Sequence, residues 1–384
     1  MAYKNRFDPE CITYTDENII FNTRLYWRQM VYWTRVYFNS VFAGIGSEEE
    51  VFARLYETPT RFVGAWEFVL GRPSAETYLF LLNEYVILLR QLVEAVMSGD
   101  LDAINENLDL LNENIEARAE FLAETFPTLE KDVLREMLKT FLQYEIEEIN
   151  ANVNQDYERI IEIYDNLIQQ TNIMSDYLSK GIIDLITYRG IEPIGQEIPK
   201  SVHTSGCITY EELNTILSIA MFWVELVEWF RAYRISLVAG LGDQEALYER
   251  MIQHTVNFGN ALKQFLEDEE FVDHFISLIQ EYINLVSNLL QARLENNVEE
   301  ADQAFRSILE NIEQRARIIS TVMPTLDERA WYNQLLRINT NLIEMGTALI
   351  SGDFERNIQL FDALETQAEG LGFYFTENLF DLFN

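Results

Sequence analysis

Helical proteins that do chemistry most often do it through histidines and paired carboxylates on facing helices, and this chain offers few of the first. Of its 384 residues only three are histidine: His203, His254 and His274. None follows a glutamate at the Glu-x-x-His spacing that would set two metal ligands on one helix face. They read as surface or loop side chains. Carboxylates alone could hold a hard cation, and Glu145, Glu147 and Glu148 are close enough in sequence to try. Glu84 and Glu281 lie inside strongly apolar runs, each followed by a tyrosine, Tyr85 and Tyr282. An acid in such surroundings is either paired or titrating. Cys11 and Cys207 are too few for a disulfide framework and are not spaced as a metal site, so each is expected to act as a small buried hydrophobe, the alternative being that, as matching positions of a repeat, they approach each other near a pseudo-twofold axis. No Gly-rich phosphate loop, nucleophile elbow or Ser-His-Asp order occurs.

The chain supplies its own check, because much of it is written twice. Cys11-Ile12-Thr13-Tyr14 returns as Cys207-Ile208-Thr209-Tyr210, and Trp27, Trp33 and Arg35 return as Trp223, Trp229 and Arg231. One residue of insertion later, Glu84-Tyr85 matches Glu281-Tyr282 and Pro127-Thr128-Leu129 matches Pro324-Thr325-Leu326. The pattern predicts a tandem duplication, and residues needed for chemistry in both copies should recur. His254 and His274 face Thr58 and Thr77; Glu145 and Glu148 face Leu342 and Met345, and only Glu147 keeps its acid, as Glu344. The triple-Glu cluster is therefore expected to be a solvated helix face. Glu84 and Glu281 do recur, and structural ion pairs with Arg35 and Arg231 are expected.

Helix signals position all of these residues. Steps of three and four through Trp27, Val31, Thr34, Arg35 and Phe38 predict a first helix ending at Gly44 or Gly46. Thr209 with Glu212 forms a capping box for its counterpart, and Thr13 with Asp16 a weaker one. A short helix from Ser47 should stop near Pro59, with another short segment at 60–70, then helices at about 74–97, 101–125, 129–152 and 155–184. The second copy repeats the plan at about 211–239, 243–265, 270–294, 298–322, 326–350 and 353–382. The expected fold is all-α: two tandem antiparallel helical bundles without a significant sheet, at 1–187 and 207–384, joined by a linker at 188–206. Aromatic residues fall on several faces of the first helix of each copy, which fits either a central core helix or an assembly surface. Cys11, Ile12 and Tyr14 in the N-terminal arm, and Phe380 and Phe383 at the other end, are candidate interface residues.

Composition narrows the partners. Lys+Arg number 28 against 63 Asp+Glu, a net charge of −35, so nucleic acid and anionic lipid would meet repulsion instead of counterion release. The first residues lack the apolar run of a secretory signal and no long uninterrupted apolar stretch is present, so no membrane partner and a cytoplasmic location are expected.

The run Trp27-Arg-Gln-Met-Val-Tyr-Trp-Thr-Arg35, then Arg54-Leu55, Ser98-Gly99-Asp100, Asp156-Tyr157 and Met174-Ser-Asp-Tyr-Leu-Ser-Lys-Gly-Ile182 resemble an uncharacterised family of bacterial helical-bundle proteins. Members open with a W-x-x-H-x-x-W-T-R helix and carry histidines at three helical positions suited to a metal. Here those positions are Met30, Tyr85 and Phe141, and in the second copy Leu226, Tyr282 and Ile338. The resemblance implies a bundle whose former metal site has been filled by packing, with no cofactor. The expected function is a non-enzymatic structural or assembly protein that binds protein partners, itself included, as a homo-oligomer. The competing expectations are a ferritin-like, carboxylate-only metal-binding oxidoreductase or storage protein, and an acidic mimic of nucleic acid.

Overall fold

A computed structural model describes residues 11–189 and 207–383. They form an all-α molecule of twelve helices, with one turn of 3-10 helix at Asp381–Phe383. The chain divides into two compact units, Met1–Gln196 and Glu197–Asn384. The first holds α1 (Tyr14–Phe42), α2 (Glu48–Leu70), α3 (Arg72–Ser98), α4 (Leu101–Thr125), α5 (Lys131–Asn154) and α6 (Tyr157–Arg189). The second holds α7 (Tyr210–Ala239), α8 (Gln244–Leu262), α9 (Glu269–Leu294), α10 (Val298–Val322), α11 (Glu328–Ser351) and α12 (Phe354–Phe380). Within each unit every helix packs on its predecessor and the sixth returns to the first. That closes a ring of helices around one interior.

The opening helix of each unit is central to it. Thr13 and Asp16 cap α1 reciprocally, as Thr209 and Glu212 cap α7, so both capping boxes are complete. Trp27, Trp33, Tyr37 and Phe38 on α1 are buried, as are Trp223, Trp229 and Phe230 on α7. The all-round aromatic load is thus core rather than surface. The same burial accounts for α7, the one helix among the described residues apolar and long enough to cross a membrane, whose most apolar stretch is 72% buried.

Three boundaries differ from the sequence expectation. Pro59 does not end a helix: α2 runs through it to Leu70, because Phe62, Val63 and Trp66 beyond the proline bury against their neighbours. The turn comes instead at Gly71, whose φ of +77° lets it stand as the single residue between α2 and α3. Finally, α6 continues to Arg189, past the predicted linker start at 188; residues 190–206, with the rest of that linker and His203, lie outside the described residues, as does most of the N-terminal arm.

Candidate functional site

Along α5 the buried stripe steps through Leu134, Leu138, Phe141, Glu145 and Glu148 in threes and fours. The last two steps put carboxylates on the face that meets the core. Glu145 is 1% exposed and Glu148 0%, which overturns the reading of this cluster as a solvated face. Only Glu147 fits that reading in part, half-buried and paired with Arg159 at 2.6 Å.

Four other helices bring partners. Tyr85 on α3 donates its hydroxyl to Glu145 Oε2. Arg118 on α4 lies with its guanidinium carbon 4.2 Å from the Tyr85 ring centroid, and none of its three nitrogens is hydrogen-bonded. Arg35 on α1 stacks 4.6 Å over Tyr164 on α6. Neither oxygen of Glu148 takes a hydrogen bond. Burial pushes the Glu145 carboxyl up to about 8; its bond from Tyr85 and the charge of Arg118 oppose the rise, and Glu148 adds to it. Burial likewise pushes Glu148 up to about 7 against the pull of Arg35. Tyr85 is held well above the usual phenol range, first by burial and then by the Glu145 charge. The arrangement can keep an acid neutral, or exchange a proton, near neutral pH. Its members are all but closed from solvent.

In the second unit Arg315 likewise stacks on Tyr282, at 4.4 Å, with no acid at the places that Glu145 and Glu148 hold in the first. Leu342 and Met345 stand 197 residues beyond Glu145 and Glu148, and the Tyr282 hydroxyl donates to Asn339 Oδ1 at 3.0 Å. The six positions that the sequence resemblance singled out, Met30, Tyr85, Phe141, Leu226, Tyr282 and Ile338, are buried. Phe141 packs edge-on against Trp27 at 5.7 Å, whereas Tyr85 is the polar partner of Glu145, so these positions are not all in purely apolar surroundings. In the second unit Leu226, Tyr282 and Ile338 line a cavity of about 20 Å³. Among the described residues no three of His, Cys, Asp and Glu come together as a metal site.

The remaining sequence candidates separate. Glu84 and Glu281 are not ion-paired with Arg35 and Arg231. Each accepts a hydrogen bond from an asparagine of the next helix, Asn114 at 2.7 Å and Asn311 at 2.9 Å, and the same amides also donate to Leu81 and Leu278 carbonyls at 2.9 Å. Glu84 is half-buried and Glu281 exposed, so these are clamps between neighbouring helices at the edge of the core. Arg231 donates instead to Asn357 Oδ1 at 3.1 Å. A buried ion pair of the first unit that spacing did not reveal joins Arg24 with Asp176, both contacts 2.7 Å and the acid 1% exposed. Asp176 falls in the Met174–Ile182 segment, but its partner is 152 residues away.

His274 is exposed as expected, but His254 is buried: Nε2 donates to the Phe222 carbonyl at 3.0 Å, Nδ1 lies 3.3 Å from Glu225, and the ring stacks on Phe222. Its place on the inward face of α8, which also carries Met251 and Phe258, was the available signal. Neither cysteine fills the core, since Cys11 is exposed and Cys207 half-buried, and neither is free. Of the other candidate interface residues, Ile12 is fully buried, Tyr14 is half-buried, and Phe380 is half-buried against Phe265; the side chain of Phe383 is outside the described set. No protein-family model matches the chain, and no curated protein or solved structure matches it significantly.

Proposed function

We propose that the protein is a non-enzymatic, acidic helical scaffold that associates with other proteins, in the first place with copies of itself. The observation that carries this reading is what each unit leaves outside. On α3, Phe80 (65% exposed) and Ile87 (40%) stand seven residues apart on one face, and on α10 Val298 (72%) and Phe305 (40%) do the same. Two turns of helix separate each pair, so each makes an apolar line on which another helix can lie. Supporting it is the burial of the acid-tyrosine-arginine cluster, which closes its polar groups off from a substrate in solvent. Arg118 and Arg35 next to Glu145 and Glu148 supply the positive charge that a cation would otherwise bring, which weighs against the carboxylate-metal reading.

Mass photometry at micromolar concentration tests the reading. Particles well above 45 kDa are expected, increasing as salt screens the net charge of −35, and Phe80→Glu with Ile87→Lys should lower their mass. A monomer at every concentration and salt, or stoichiometric iron, manganese or zinc by elemental analysis, would overturn it.

A further inference from the structure

The second unit buries two arginines, Arg315 at the place of Arg118 and Arg234 where the first unit has Phe38, and carries no acid at the places of Glu145 and Glu148. Arg315 is 2% exposed, and its Nε donates to Asn311 Oδ1 at 2.8 Å. Arg234, 3% exposed, donates Nη1 to the Leu342 carbonyl, and its Nε is unbonded. Neither has a carboxylate within ion-pair distance among the described residues, not even Glu228 or Glu365, the unit's buried acids. Glu281 influences Arg315 from the solvent side, but its own oxygen is taken by Asn311. Burial pulls both guanidinium groups down to about 10, with Arg293 adding to the effect at Arg234. Arg234 has no facing acid and Arg315 only the solvent-side Glu281, and buried cations so weakly balanced are disfavoured.

Beside Arg315 lies the cavity of about 20 Å³, with Arg315 and Tyr282 in its wall and apolar side chains such as Leu226, Ile338 and Leu342 around the rest; Arg234 is not in the wall but stands against two of its members, Phe230 and Leu342. That volume takes one species of about the size of a water molecule. The guanidinium fork supplies charged donors, Tyr282 commits its proton to Asn339, and the apolar wall would strip a divalent oxyanion of hydration it cannot replace. We propose that this cavity is a binding site for one small monovalent anion of halide size, held by Arg315 with Arg234 as the second positive charge. The anion takes the electrostatic place that Glu145 and Glu148 hold in the first unit.

The test is thermal melting of the full chain in sodium chloride or bromide against sodium sulfate at matched ionic strength. Because a ligand of the folded state stabilises by mass action, chloride and bromide should add a saturable rise in Tm, by about 3 °C at ten times the Kd, whereas sulfate should give only the non-saturating rise of an excluded salt. Arg315→Met should abolish the saturable component, and Arg234→Met should weaken it at least tenfold in half-saturating concentration. A purely non-saturating response to chloride and bromide, or an undiminished saturable component in Arg315→Met, would overturn the proposal. If Arg315→Met gives no cooperative melt, chloride-35 NMR linewidths with wild-type protein decide: protein-dependent, bromide-displaceable broadening is expected, and linewidths equal to buffer would reject the site.

Discussion

At the residue scale the unusual feature is a pair of acids on the apolar stripe of a helix. Glu145 and Glu148 are three residues apart on α5, so one inward face buries both, and each is pushed far above its ordinary value by the loss of water. Raised folded-state values have a definite sign. The penalty is absent below the ordinary carboxyl value of 4.5, grows as pH rises through it, and is complete above about 8, so stability falls with pH across that window. Glu148→Gln replaces the acid with a neutral isostere. It is expected to be more stable than wild type at pH 8.5 by more than about 1 kcal/mol, with the gain shrinking toward pH 5.5. Urea denaturation at the two pH values checks this, and a less stable variant at pH 8.5 would mean that Arg35 holds the acid ionised. These two residues were legible as a cluster but not as buried. Their mismatch with Leu342 and Met345 argues against shared chemistry between the two units, yet burial on α5 requires no such sharing.

At the scale of elements, helix ends and faces were largely legible. Capping boxes, glycine stops and steps of three and four are local, and the helices begin and end close to where those signals stand. Two features were not. Pro59 is a local stop signal overridden by the packing of Phe62 and Trp66, which reward continuing the helix on its far side. The approach of α12 to α7 depends on Gly372, where a Cβ would stand 1.9 Å from the Ala220 carbonyl oxygen. Nothing in the local pattern marks that glycine as different from exposed Gly370. Gly372→Ala must push the two helices apart, and a loss of about 3 kcal/mol in the stability of the second unit is expected by denaturant melting. Gly370→Ala, with open space around it, should be neutral or slightly stabilising.

At the scale of the molecule each unit encloses its own interior. The first surrounds Trp27, Trp33 and Phe141, and the second Trp223, Trp331 and Phe375. A ring of helices closed by contact between its first and last members needs nothing from outside to bury that core. Fragments 1–196 and 197–384, expressed separately, are therefore expected to show helical circular dichroism and cooperative melting. Loss of either property in one fragment would show that its core is incomplete alone. The acidic balance belongs to the same scale. Net charge opposes close approach of copies until salt screens it, which is why the proposed association should grow with ionic strength.

What the amino-acid sequence determined unaided is the all-α class, the approximate helices, their caps and the absence of recognisable catalytic motifs, because each of these follows from neighbours within a turn or two of chain. What only the tertiary structure decided is which polar groups those helices enclose. Glu145 meets a tyrosine 60 residues away, Asp176 an arginine 152 residues away, and His254 a carbonyl on the preceding helix. Periodicity says which residues share a face. Whether that face meets water or a core, and which side chain stands opposite, depends on contacts that close only when the ring of helices does.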